Sequence, residues 1–227
     1  MSNVEEFCII ATIGFDEKLV LRALMKLGIK EKYRVLLIYS LSGGDYERGR
    51  VETAVKNLKE ILRPLGLFIE DVIVPANNIV KDVEEILSKI QSLRPNRIVA
   101  ILVGGMRLLL CEVLVSLSFY KTLIKPDVAV DLFLMREDGA YHIVLPLEVI
   151  VPPKITPREF HVLKEVCKRG GIIERSVLVE ETSKLLKVSK SQVYKILESL
   201  VEKKVVEVKE DAVSLTSLGS LLCVILR

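Results

Sequence analysis

Histidine, the usual residue of metal and nucleophilic chemistry, is scarce in this sequence. Its two histidines, His142 and His161, are isolated in the sequence and fall in different predicted domains, so a zinc site or a histidine-based catalytic triad is poorly supported. No G-x-G-x-x-G follows a predicted strand and no G-x-x-x-x-G-K-[S/T] occurs, which argues against NAD and P-loop nucleotide binding. We therefore expect no catalytic residue, no metal ion and no cofactor.

Cysteine is also sparse, and no C-x-x-C pair is present. The four cysteines, Cys8, Cys111, Cys167 and Cys223, lie far apart in apolar runs, so we expect small core residues in a reducing cytosol. The first six residues carry two acids where a secretory signal would carry bases. These features predict a cytoplasmic protein.

An uninterrupted apolar run long enough for a membrane span is missing. The longest apolar stretch, residues 98–124, is interrupted by Arg107, Glu112 and Lys121. Its Gly104-Gly105 pair would end a helix early, so the stretch is better explained as a buried strand followed by a buried helix. We expect no membrane partner.

Apolar residues make up 50% of the chain, and the first 150 residues alternate between β-branched runs and helical patterns. This alternation predicts an α/β fold with a Rossmann-like, mostly parallel sheet. The predicted strands are Phe7–Thr12, Arg34–Tyr39, Phe68–Val74, Ile98–Val103, Val128–Met135 and Tyr141–Leu145. Apolar residues at spacings of three and four predict helices over Glu17–Leu27, Arg50–Leu65, Ile79–Leu93 and Met106–Tyr120.

A domain boundary is predicted near residue 150, because the following Pro152-Pro153 pair continues neither a central strand nor a helix. Residues 1–150 form the first predicted domain and residues 151–227 the second. The first carries 19 bases and 20 acids, and the second carries 14 bases and 10 acids. The positive charge therefore belongs to the second domain.

The second domain has the pattern of a winged helix-turn-helix. Capping boxes at Thr156 and Ser189 predict helices over residues 157–168 and from 189 to about 203, with a short helix at 179–186 and a turn between. Alternating strands follow at 205–208 and 213–215. Candidate DNA-binding residues are those at the recognition helix and wing tip: Lys187, Ser189, Lys190, Ser191, Gln192, Tyr194, Lys195 and Lys209. A protein-binding module remains an alternative.

Three loops lie where a predicted strand ends and a helix begins. In a doubly wound sheet, ligands bind at the carboxyl ends of the strands, where strand order reverses. Glycine there lets the backbone approach a phosphate, and arginine adds planar charged donors. The candidate ligand-binding residues are Gly14, Phe15, Ser42, Gly43, Arg48, Arg50, Gly104, Gly105, Met106 and Arg107. The alternative is that these glycines only form tight turns.

These motifs, in this order and joined to a winged helix, resemble the archaeal CRISPR-associated transcription regulators. The motifs are Thr12-Ile13-Gly14-Phe15, Ser42-Gly43 with a downstream arginine, and Gly104-Gly105-Met106-Arg107. The family joins a CRISPR-associated Rossmann fold (CARF) domain to a winged helix-turn-helix. The resemblance implies a homodimer whose two CARF domains form one pocket for a cyclic oligoadenylate, most often cyclic tetra-adenylate.

The same resemblance implies a regulator that binds double-stranded DNA at promoters of CRISPR-Cas loci. The segment from Gly43 to Gly49 is interpreted as a long loop, and its acids, Asp45 and Glu47, leave open whether Arg48 or Arg50 contacts phosphate. Two other functions stay open at this point. One is a ring nuclease that cleaves its own ligand without metal, and the other is a scaffold for a Cas protein.

Overall fold

The computed structural model describes residues 7–29, 33–136 and 138–225. The chain divides into two compact units between Leu147 and Glu148, slightly before the boundary predicted at residue 150. None of the helices within the described ranges is both long and apolar enough to cross a bilayer. Each unit is described separately below.

The first unit contains a six-stranded, mostly parallel sheet, which confirms the predicted α/β fold. Its strands follow the order β3-β2-β1-β4-β5-β6, and only the β5–β6 pairing is antiparallel. Their bounds are β1 Phe7–Ile13, β2 Arg34–Tyr39, β3 Phe68–Ile73, β4 Arg97–Ile101, β5 Ala129–Met135 and β6 His142–Pro146. Glu137, in the predicted turn between β5 and β6, lies outside the described residues.

Helices cover both faces of this sheet, which explains why the central strands are apolar throughout. Along β1, Ile9 and Ala11 pack against α1 and α2, whereas Cys8 and Ile10 pack on the side of α3 and α4. This alternation is the period of two expected for a strand. The helices are α1 Glu17–Leu27, α2 Asp45–Leu62, α3 Ile79–Leu93 and α4 Arg107–Phe119.

Strand order reverses between β1 and β4. β1 pairs in parallel with β2 on one side and with β4 on the other, so the chain winds outward in both directions from this point. The loops that leave β1, β2 and β4 therefore emerge at the same edge, the carboxyl edge of the sheet. We call residues 14–16 loop 1, residues 40–44 loop 2 and residues 102–106 loop 3.

The helix after β2 begins earlier than predicted. α2 starts at Asp45 rather than at Arg50, so the expected long loop from Gly43 to Gly49 is wrong. The Glu47 carboxylate accepts the backbone N–H of Gly44 at 2.6 Å, which caps the first turn. Arg48 and Arg50 consequently belong to a helix and not to a flexible loop.

The second unit consists of four helices and a three-stranded antiparallel sheet of order β7-β9-β8. Buried side chains such as Leu163, Leu197 and Val213 form its core. The helices are α5 Pro157–Lys168, α6 Arg175–Leu186, α7 Lys190–Glu202 and α8 Ser217–Ile225, and the strands are β7 Ile172–Glu174, β8 Val206–Lys209 and β9 Ala212–Leu215.

The expectation of free cysteines in the core is fully correct only for Cys8, since Cys167 and Cys223 do pack in the core of the second unit but are bonded to each other. Cys167 and Cys223 form a disulfide, with Cα atoms 5.8 Å apart, because α8 folds back onto α5 in the core. Cys111 is exposed on α4, and Cys8 alone is the buried free thiol that was expected. Burial, which disfavours the thiolate, raises the pKa of Cys8 to about 12.

Candidate functional site

Loops 1 and 3 contact each other through glycine backbones. A Cβ placed on Gly14 would lie 2.6 Å from the backbone nitrogen of Gly105, and one on Gly104 would lie 3.3 Å from the nitrogen of Gly14. Gly105 also has a φ of +99°, which L side chains rarely adopt. The two loops can therefore approach this closely only because these positions lack side chains.

Loops 2 and 3 meet through side chains. The Ser42 hydroxyl lies 3.6 Å from the Met106 sulfur, to which it donates a weak hydrogen bond, and 2.8 Å from the Ser40 hydroxyl. Gly43 follows with a φ of +139°, so this turn also depends on glycine.

Loop 1 contacts α2 through Phe15. The guanidinium carbon of Arg50 lies 4.7 Å from the centre of the Phe15 ring and 5.9 Å from that of Tyr46. The three loops and the first turns of α2 thus form one connected surface, which we call the switch-point surface. It brings together the predicted ligand-binding residues of the three loops with Arg48 and Arg50 of α2. Arg107 is exposed beside it in the first turn of α4.

The helices that start at this surface differ in how their N-termini are satisfied. Asp16 caps α1 by accepting the N–H of Lys18, and Glu47 caps α2. α4 has no capping side chain and no acid in its first turn, and within the described residues no carboxylate pairs with Arg107. Because free amides and the helix dipole favour anions, α4 is the N-terminus best prepared to receive one.

Both histidines contact aromatic rings. His142 stacks on Phe133 with ring centres 5.3 Å apart, and His161 meets Phe160 edge-on. Across residues 7–29, 33–136 and 138–225, no cluster of His, Cys, Asp or Glu side chains could hold a metal ion. The arrangement of glycines, arginines and aromatic rings is suited to binding a ligand with phosphates and flat rings.

In the second unit, α7 begins at a solvent-exposed capping box. Ser189 Oγ accepts the N–H of Gln192, and Gln192 Oε1 accepts the N–H of Ser189. Ser189 and Gln192, both predicted to contact DNA, therefore stabilise the start of α7. Lys190, Ser191 and Lys195 are exposed on the same helix and make no ion pair within the described part of the unit.

The remaining predicted DNA-binding residues have other neighbours. Tyr194 is half-buried, and the Arg175 guanidinium carbon lies 4.9 Å from its ring centre. Lys209, on β8, pairs with Glu207 at 3.0 Å. Lys187 is exposed in the turn between α6 and α7, with a φ of +53°. The α6 helix itself starts at Arg175, four residues before its predicted start at Val179.

The strand order and the glycine-lined switch point define a doubly wound, Rossmann-like domain. A protein-family model, the Csa3 CRISPR-associated Rossmann-like domain, matches residues 7–137. The chain belongs to this family. The match ends before the second unit, and no curated protein sequence matches the chain.

One similar solved structure is Can2 from Sulfobacillus thermosulfidooxidans in complex with cyclic tetra-adenylate. The TM-score is 0.44 and the sequence identity 8%, with 97% of this chain and 62% of that chain covered. This chain thus spans less than two thirds of Can2. The likeness is too distant to bear on function.

Proposed function

We propose that this protein is a DNA-binding transcription regulator of CRISPR-Cas genes that senses a cyclic oligoadenylate. The first units of two chains would bind the ring at paired switch-point surfaces, and the second units would bind promoter DNA. The observation that carries the proposal is the contact of three glycine-dependent loops beside the uncapped α4, in a chain of this CRISPR-associated family.

The phosphate side of the proposal rests on α4. Arg107 is exposed beside the uncapped first turn, where backbone amides and a guanidinium can bind one phosphate together. Glu47 already occupies the start of α2. We therefore assign the main phosphate contact to Arg107 and loop 3, and a minor one to Arg48.

A homodimer is proposed because the outer faces of α3 and α4 are apolar and open. Val80 is 72% exposed, and Leu108 and Phe119 are also exposed. The groove between these helices is lined largely by apolar residues, among them Ile79, Val83, Leu87 and Val115. Exposed apolar patches of this kind mark interaction surfaces. A two-fold dimer would present the same residues to each half of a symmetric ring, as cyclic tetra-adenylate is.

The DNA side rests on the second unit. Its element order, helix, strand, two helices and a β-hairpin, is the order expected of a winged helix-turn-helix. Buried Val193, Leu197 and Leu200 hold α7 to the core, while Lys190 and Lys195 remain free for phosphates. Ring binding would change DNA affinity only by its differential preference between dimer geometries, typically by about 1–3 kcal/mol.

Calorimetry with cyclic tetra-adenylate tests the ligand. The wild type and Arg63→Ala should bind alike, because Arg63 lies at the opposite end of α2 from the switch-point surface. Arg107→Ala should bind at least about tenfold more weakly, since it loses a charge-assisted contact. No heat with the wild type, or equal affinities for both variants, would refute the ligand assignment.

Gel shifts with promoter fragments from its CRISPR locus test the DNA half. Lys190→Ala should weaken binding and reduce its salt dependence, because it removes a phosphate contact without touching the capping box. Lys164→Ala, an exposed site on α5, is the matched control. Binding by the wild type without sequence preference, or equal loss in both variants, would contradict this half.

A further inference from the structure

Two exposed aromatic side chains at the switch-point surface contact the same arginine, Arg50. Phe15 of loop 1 is 48% exposed and Tyr46 of α2 is 77% exposed, although aromatic residues make up only 5% of the chain. The Arg50 guanidinium lies against both rings. We call these three residues the stacking cluster.

The core does not account for this cluster. Phe15 and Tyr46 belong to none of the hydrophobic clusters formed by the described residues. Tyr46 and Arg50 are four residues apart on α2 and therefore lie on the same side of the helix. Within the described chain Arg50 makes no ion pair, although Asp45 and Glu47 are on the same helix. The guanidinium instead forms a third flat group beside the two rings.

Flat groups of this composition bind nucleobases. Bases that are free of a duplex stack on aromatic rings and on guanidinium planes, and such contacts tolerate any base because each has a π face. A guanidinium suits this role better than an ammonium group, because it is planar and weakly hydrated.

We infer that Phe15, Arg50 and Tyr46 form the stacking site for a purine base of the ligand. This inference rests on the proposed function and deepens it. Loop 1, which carries Phe15, contacts loop 3 through Gly14 and Gly105, so the cluster adjoins loop 3. In this proposal the ligand places a base on the cluster and a phosphate at Arg107. Arg50 then contacts a base, which separates its role from that of Arg48.

The chain contains no tryptophan, so Phe15→Trp places a single reporter in the cluster. Titration of this variant with cyclic tetra-adenylate should quench its emission, because the indole stacks on adenine. Inorganic phosphate, which has no base, should leave the emission unchanged.

Alanine variants measure the contribution to affinity. By calorimetry, Phe15→Ala and Tyr46→Ala should each weaken binding of cyclic tetra-adenylate by about tenfold or more. Phe68→Ala is the matched control, since Phe68 is an exposed ring at the amino end of β3, and it should bind as the wild type does. Arg50→Lys keeps the charge but loses the plane, so it should also weaken binding.

The outcomes separate the two proposals. If the wild type binds the ring but the tryptophan is not quenched and Tyr46→Ala matches Phe68→Ala, the stacking site is refuted and the ligand assignment stands. If the wild type itself gives no heat, the ligand assignment fails and the stacking site fails with it.

Discussion

Asp82 of α3 and Glu112 of α4 face each other as two fully buried carboxyl groups. Asp82 Oδ2 accepts the N–H groups of Asn77 and Asn78 at 3.1 and 3.2 Å. Among the described residues, no donor reaches its other oxygen or either oxygen of Glu112, so the surroundings of Glu112 favour its protonated form. Burial and the nearby charge of Asp82 raise the pKa of Glu112 to about 7.

This pair predicts that stability falls as pH rises. Unfolded Glu112 loses its proton near its usual pKa of 4.5, whereas folded Glu112 keeps it to about 7. The pH-dependent penalty is therefore absent below the lower value and reaches about 3 kcal/mol above the higher one. Glu112→Gln, which mimics the protonated acid, should match the wild type in chemical denaturation near about pH 4 and exceed it by about 3 kcal/mol near about pH 8.

The comparison of Glu112→Gln with the wild type is decisive because all other titrating groups are common to both. A stability difference between the two proteins that stays constant from acid to alkaline pH would show that Glu112 is not the shifted group.

Glu159 of α5 is also a buried acid, but its pKa is lowered, whereas that of Glu112 is raised. Burial alone would raise its pKa, but hydrogen bonds from Lys203, the Thr156 backbone and Ser199 together lower it to about 2. The ionised Glu159 side chain thus stabilises the folded second unit fully above its usual pKa of 4.5, and this stabilisation is lost as pH falls toward 2. Glu159→Gln should destabilise the second unit by about 3 kcal/mol near neutral pH, because it leaves Lys203 without its partner.

Glu180→Gln is the matched control for Glu159. Glu180 and Lys184 form an exposed pair on α6, and such surface pairs contribute little. Denaturant midpoints of the two variants check the prediction, which fails if Glu159→Gln is as stable as Glu180→Gln.

The surroundings of Gly14 and Gly49 predict opposite effects of substitution by alanine. Gly14→Ala should destabilise the protein by about 1–3 kcal/mol, since its Cβ would overlap the backbone of Gly105. Gly49→Ala lies within α2 with nothing near its Cβ, and it should stabilise by about 0.5–1 kcal/mol. Thermal unfolding of both variants checks this, and equal midpoints would contradict the geometry.

The Cys167–Cys223 disulfide predicts sensitivity to reductant. The two residues are 56 positions apart, and closing a loop of that length stabilises by about 4 kcal/mol. Reductant should lower the denaturation midpoint of the wild type and of Cys111→Ser, but not that of Cys223→Ser. A wild type that is indifferent to reductant would contradict the pairing.

Much of the fold was predictable because its signals are local. α1, α3 and α5 have their predicted bounds, since capping residues and periodic apolar positions lie within each segment. The meeting of the three loops also follows from the sequence, because parallel strands with helical crossovers bring their carboxyl ends to one edge.

The wrong or missing predictions concern elements that are short, or contacts between residues that are far apart in the sequence. The first turn of α2 was predicted as part of a loop that ends at Gly49. Tyr46 was therefore not among the predicted ligand-binding residues. β7 is only three residues long, and its pairing with β9 has no local signature. The partners Cys167 and Cys223, like Asp82 and Glu112, come from separate helices, and no spacing in the sequence connects them.

The stoichiometry of ring binding tests the central claim most directly. Calorimetry of the full chain with cyclic tetra-adenylate, together with sedimentation of the same sample, counts rings against chains. The account predicts a dimer that binds one ring per two chains. A strictly monomeric protein, a dimer that binds no ring, or one ring for every chain would contradict it.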